Sequence, residues 1–174
     1  MIIYFIDGKL NPITITYMSK EILKLHPLPI SIKEANEFIL NFHRHNNPVK
    51  NCRFAIGAGF EGKLVGVAVI GNPVARLMND GFTMEVLRVC TKEDSPKNTC
   101  SFLYGRSWRV WQQMGGLRMI TYTLQSESGS SLKGSGWTIR GETKPSSGWS
   151  RKDRDRKWQP IYGQMKFRWE VESY

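Results

Sequence analysis

Acidic side chains are in short supply: 15 Asp and Glu stand against 25 Lys and Arg in 174 residues, a formal net charge of +10. Such a surplus points to a polyanionic partner, either nucleic acid or a phosphate-bearing cofactor, with solubility as the plainer account. Cysteine is scarce as well. Cys52, Cys90 and Cys100 are odd in number, widely spaced and form no CxxC pair, which excludes a disulfide framework and a zinc knuckle and fits a reducing, cytoplasmic compartment. No apolar run approaches the ~18 residues that cross a bilayer, so no membrane partner is expected. The opening MIIYFIDGK lacks the basic start, apolar stretch and cleavage site of a signal peptide. Internal repeats and linkers are missing too. With 40 % hydrophobic residues, a core can form without disulfides or metals, and one domain spanning 1–174 is expected.

What the chain does contain is a dense succession of strand and helix signals. Residues 2–6 read as a strand, and 11–19 alternate apolar and polar residues as a half-buried strand does. Ser31 opens a helix, three residues before Glu34 in capping-box spacing. Ile32, Ala35, Phe38, Ile39 and Phe42 give that helix one apolar stripe, and Asn46-Asn47-Pro48 is expected to end it. RFAIGAGF and KLVGVAVIG, joined at Glu61-Gly62-Lys63, form a β-hairpin, and FTMEVLRVC follows as another strand. Residues 98–114 are the clearest helix, with Leu103, Ser107, Val110, Trp111 and Met114 facing a sheet and Gly115-Gly116 closing it. LRMITYTL reads as a central strand, 126–135 as a short helix, and WTIRGE and KFRWEVE as the last two strands. The class is α+β, a three-layer α/β domain with a mixed sheet.

The chemistry is expected at 83–101, where a strand leads through TKEDSPKN into a helix near Asn98. A helix N-terminus offers free amides and a positive dipole end, although any capped start has this look. EVLRVC, PKNTCSFLYG and TYTLQSESGSSLKGSGW, taken with the element order, resemble the GNAT (GCN5-related N-acetyltransferase) superfamily, and more narrowly the GNAT-like proteins of phages and prophages. The resemblance implies a mostly antiparallel mixed sheet whose two central strands splay apart around acyl-CoA. Leu87, Val89 and Cys90 would then offer a main-chain edge to pantetheine. Lys97, Asn98, Thr99, Cys100 and Ser101 would cradle the pyrophosphate, and Gly136-Trp137 would match the Gly-Phe pair of the family, with Trp137, Tyr122 and Trp149 as candidate substrate-binding residues. Two departures stand out. The phosphate loop contains no glycine, and Leu132 replaces the frequent tyrosine acid. Arg88 with Asn98-Thr99-Cys100-Ser101 also resembles the phage Mom-type DNA modifiers, which remodel adenine.

The resemblance implies acetyl transfer from acetyl-CoA to an amine by direct attack, with Glu85 as the base and a strand amide steadying the oxyanion. A solvent-facing ion pair is the alternative for Glu85. Arg88 differs in parity from Glu85, so the two face opposite ways unless a bulge intervenes, and it could hold a phosphate or carboxylate. Glu127 stands just past a central strand as a second catalytic candidate or a helix cap. Tyr104 and Tyr122 are candidate replacement acids. His43 and His45 flank Arg44 where the acceptor would sit; with Cys52 they fall short of a metal site. Trp149 and Trp158 bracket a basic run, Lys144 to Gln159, suited to nucleic-acid contact or to a self-solvating loop. Two further readings stay open: a Mom-like nucleobase or tRNA modifier, and an inactive binding module.

Overall fold

Two short strands, β1 (Phe5–Ile6) and β2 (Lys9–Leu10), pair only with each other. The remaining regular elements build on one seven-stranded sheet. The structure is a computed structural model that describes residues 5–6, 9–10, 24–43, 48–50, 52–145 and 163–173. Its elements are β3 (His26–Pro29), α1 (Ile32–Phe42), β4 (Phe54–Phe60), β5 (Lys63–Gly71), β6 (Thr83–Thr91), α2 (Thr99–Gln113), β7 (Arg118–Leu124), α3 (Ser130–Lys133), β8 (Thr138–Thr143) and β9 (Lys166–Glu172), with a 3-10 turn at Arg76–Met78. The sheet order is β3-β4-β5-β6-β7-β9-β8; β6 and β7 run parallel and every other pair is antiparallel. Among the described residues no helix is long and apolar enough to cross a membrane.

Helix α1 covers one face of the sheet, and α2 with α3 covers the other. Strand β5 shows why its sequence is apolar without interruption: Val67 and Val69 join the core under α1, while Ala68 and Ile70 join the core under α2. On α2, Thr99, Leu103, Ser107 and Trp111 recur every fourth residue and are all buried. Gly66 of β5 lies under the start of α2. A Cβ there would stand 3.0 Å from Thr91, 3.1 Å from Leu103 and 3.1 Å from Thr99, so the glycine lets this end of α2 sit close to the sheet.

The expected strand over 11–19 lies outside the described residues. Three other expectations are corrected. No element is expected over 26–29, yet β3 forms there at the sheet edge, where the missing amides of Pro27 and Pro29 are tolerated. Helix α1 ends at Phe42, before Asn46, with His43 already extended. Asn36 explains the early reversal: its amide group donates to the Val49 carbonyl at 2.9 Å and accepts from the Val49 amide at 2.8 Å, tying the returning chain to the helix. The helix expected over 126–135 is one turn, Ser130–Lys133. Gly129 before it is left-handed (φ 62°), and a Cβ there would meet the Trp169 ring.

Candidate active site at the parted strands

Strands β6 and β7 hold together for only three residue pairs, Thr83, Met84 and Glu85 opposite Arg118, Met119 and Ile120. Beyond them β6 stays paired to β5 up to Thr91, and β7 pairs with β9 alone. The Thr121 hydroxyl makes one last link across the gap, donating to the Val86 carbonyl at 2.9 Å. Past it, the side of β6 facing β7 has no strand partner among the described residues. Leu87, Val89 and Cys90 lie along this stretch, as expected, although the Leu87 carbonyl already accepts from Arg88 Nη1 at 2.6 Å.

The pairing of β6 with β5 slips by one residue here. Val86 stands opposite Ile70 and Arg88 opposite Val69, which leaves Leu87 as the extra residue of a bulge. Glu85 stands opposite Gly71, two residues from Val69, so the bulge brings Glu85 and Arg88 to the same face, the one α1 covers. Register adds three more side chains to that face. Tyr122 is two residues beyond Ile120, the partner of Glu85, while Arg168 and Lys166 of β9 stand opposite Tyr122 and Leu124.

Glu85 is 7 % exposed and accepts the Val74 amide on Oε2 at 2.8 Å. A solvent-facing role is thereby excluded. Burial pushes its carboxyl up to about 7, against the pull of the Val74 hydrogen bond and of the Arg88 and Lys166 charges. Burial likewise raises Tyr122, with the Glu85 charge adding to it, and lowers Lys166, with Arg88 adding to it. Arg168 is held at 2.6 Å by the buried Glu170. Lys166 is a neighbour that sequence reading missed. The alternation in KFRWEVE sets Lys166, Arg168 and Glu170 on one face, but only the strand order brings that face beside Glu85.

The remaining expected site residues lie at the start of α2. Asn98 takes the left-handed conformation (φ 68°, ψ 9°) and no side chain caps the helix. Asparagine enters this region more readily than other side chains, so the turn forms without glycine. Lys97 and Asn98 are exposed and Cys100 and Ser101 half-buried. Thr99 departs from the expected cradle: it is buried and spends its hydroxyl on the Pro96 carbonyl at 2.6 Å.

Other candidates lie elsewhere. Glu127 is exposed and accepts the Leu124 amide at 3.0 Å, closing the turn after β7. Trp137 was expected to meet substrate and is instead a core side chain, 2 % exposed and edge-on to Tyr104 at 5.6 Å. Tyr104 sits on the α2 side of the sheet and burial raises its hydroxyl strongly. Burial also raises the Cys90 thiol to about 11, which keeps it protonated and makes it a poor nucleophile. His43 caps the end of α1; His45 and Trp149 lie outside the described residues.

No family model matches this sequence, and no curated protein matches it. Solved structures do match. A Bacillus subtilis acetyltransferase in complex with CoA superposes with a TM-score of 0.62 at 15 % identity, over 87 % of this chain and 100 % of that one. An IAA acetyltransferase from Bacillus cereus gives 0.61 at 13 % identity, over 86 % and 100 %. A GNAT-family acetyltransferase from Streptococcus pneumoniae gives 0.58 at 10 % identity, over 86 % and 99 %. The fold is the GNAT fold. In this GNAT fold the strands β6 and β7 part just past Glu85.

Proposed function

We propose that this chain is an acetyl-CoA-dependent N-acetyltransferase acting on an amine. The observation that carries the reading is a buried carboxyl, Glu85, raised to about 7 where the two central strands begin to part. A base of that strength is matched to neutral pH, where it can both take and return a proton. The solved Bacillus subtilis acetyltransferase that shares the fold holds CoA, which supports the choice of acyl carrier.

The residues present fit such a carrier. Past Val86 the side of β6 facing β7 has no strand partner among the described residues, and α2 starts without a side-chain cap next to Lys97. A bound acetyl-CoA would supply an electrophilic thioester carbonyl and a thiol leaving group. The chain's own part is to prepare the amine and hold the carrier. Ionised Glu85 accepts the ammonium proton, giving a neutral nitrogen able to attack. Tyr122, raised above its usual range, stays protonated and offers a hydrogen bond on the same face. Lys97 and the amides of Cys100 and Ser101 would balance the diphosphate charge.

Glu85→Gln tests the assignment. Turnover should fall roughly 10²-fold or more, while acetyl-CoA binding stays within a few-fold of wild type. Acetyl-CoA at a hundred times its Kd should stabilise both proteins by about 2.7 kcal/mol in thermal unfolding. Absence of any shift in the wild-type protein would rule out the carrier and, with it, the reading.

A further inference from the structure

A groove lies on the opposite face of the sheet from Glu85, between the edge strand β3, its neighbour β4 and the flank of α2, with a volume of about 790 Å³. It contains none of the residues assigned above to acetyl transfer. Arg106 and Arg109 also line a neighbouring hollow of about 530 Å³ that follows α2 back to Ser101 and Asn98. Each hollow alone has the size of a small-ligand site; joined through two shared arginines, they make a path suited to a polymer.

The charge along this path has one sign. Arg53, Arg106 and Arg109 are its charged lining residues, and no carboxylate lines either hollow among the described residues. Helix α2 contains no Asp or Glu at all. None of the three arginines forms an ion pair among the described residues: Arg53 donates Nε to Asn72 at 2.9 Å, and Arg106 stacks over the Phe102 ring at 5.2 Å. Guanidinium groups gathered in a concavity without a counter-charge repel one another, and an anionic occupant relieves that repulsion. Half-buried rings, Phe54, Phe102 and Trp108, stand beside the cations.

We propose that this groove binds single-stranded nucleic acid, with Arg53, Arg106 and Arg109 on its phosphates and the neighbouring rings against its bases. Interleaved cations and aromatic faces are what single strands require. An acidic peptide is the weaker fit, because the adjacent sheet edge is β3, and Pro27 and Pro29 have no amide to donate to an incoming strand. The inference does not depend on the acetyl-transfer reading, although the second hollow reaches Asn98 and Ser101, which that reading gives to the diphosphate.

The test is fluorescence anisotropy of a labelled oligouridylate of about 15 nucleotides, titrated with the full chain between about 50 and 200 mM salt. Three phosphate contacts on a single strand predict a slope of roughly −2 in log affinity against log salt. The double variant R53E/R109E should bind at least tenfold more weakly than wild type. Arg53 and Arg109 are both exposed, and R53Q/R109Q, expected to lose affinity to a smaller degree, guards against a folding defect. Three results would each overturn the proposal: no binding at low salt, equal binding by both variants, or displacement of the oligonucleotide by polyglutamate as readily as by unlabelled oligouridylate. The last would assign the groove to an acidic protein segment instead.

Discussion

At the start of α1 the polar groups close on one another: Ser31 Oγ accepts the Glu34 amide at 3.2 Å, and Glu34 Oε2 accepts the Ser31 amide at 2.7 Å. The start of α2 closes less completely. Asn98 turns through left-handed backbone and gives no side-chain cap; the Thr99 amide turns back to the Pro96 carbonyl at 3.3 Å, and no side chain caps the amides of Cys100 and Ser101. The carboxylates of the two regions differ in the same way. Glu34 is lowered by its bonds to Ser31, whereas Glu85 is raised by burial. One region spends its polar groups on stability and the other holds them in reserve, at a cost to stability. That contrast separates scaffold from site without any appeal to relatives.

The largest expected effect comes from titrating the reserved carboxyl. With its folded value near 7 and an ordinary value of 4.5, Glu85 favours the folded state fully when protonated, and that contribution is lost as pH rises through 7. The swing is ~3 kcal/mol at most. Melting temperature should therefore drop between about pH 5 and about pH 8 in wild type, and drop less in Glu85→Gln. Equal slopes would mean that Glu85 is not held in reserve. Glu34 has the opposite sign, its contribution being present above its ordinary value and lost on acidification. In the cleft itself, turnover should climb about tenfold per pH unit below neutrality and level off above it as Glu85 ionises.

Next in size, Asn98→Asp sets a negative charge at the start of α2. The new carboxylate should hold or raise melting temperature through the helix dipole while weakening CoA binding about tenfold or more, read by calorimetry. Unchanged CoA affinity would show that the α2 start is not where the diphosphate rests. Ser31→Ala is the mirror experiment: opening α1 should cost about 1 kcal/mol and leave CoA affinity untouched. The smallest effect is expected for Asn98→Gly. Relief of left-handed strain should stabilise the chain by under about 1 kcal/mol and keep CoA binding, because the turn survives.

Much of this was legible in the sequence. The Ser31–Glu34 box, the hairpin at Glu61-Gly62 and the Leu103, Ser107 and Trp111 positions of the α2 stripe depend on neighbours within a few residues, and local spacing reports them; Val110 and Met114, expected on that stripe, are exposed. Strand β3 escaped because proline is forbidden or tolerated according to which side of the strand is paired, and nothing in His26-Pro27-Leu28-Pro29 says that the other side is an edge. Glu85 stood out, but its surroundings did not. Lys166 reaches that face only because β9 inserts between β7 and β8, an order set by packing across more than forty residues of intervening sequence. No glycine precedes α2, and the left-handed turn that glycine would ordinarily make is taken by Asn98.

Leu87 has a consequence for ancestry. A single surplus residue in β6 resets which surface every later side chain of that strand inhabits. Two chains with this architecture, differing only in where the surplus falls, would space their reactive acid and their arginine differently. Aligned letter by letter without a gap, such chains would match residues from opposite surfaces, so kinship can fade from the letters while the three-dimensional arrangement persists.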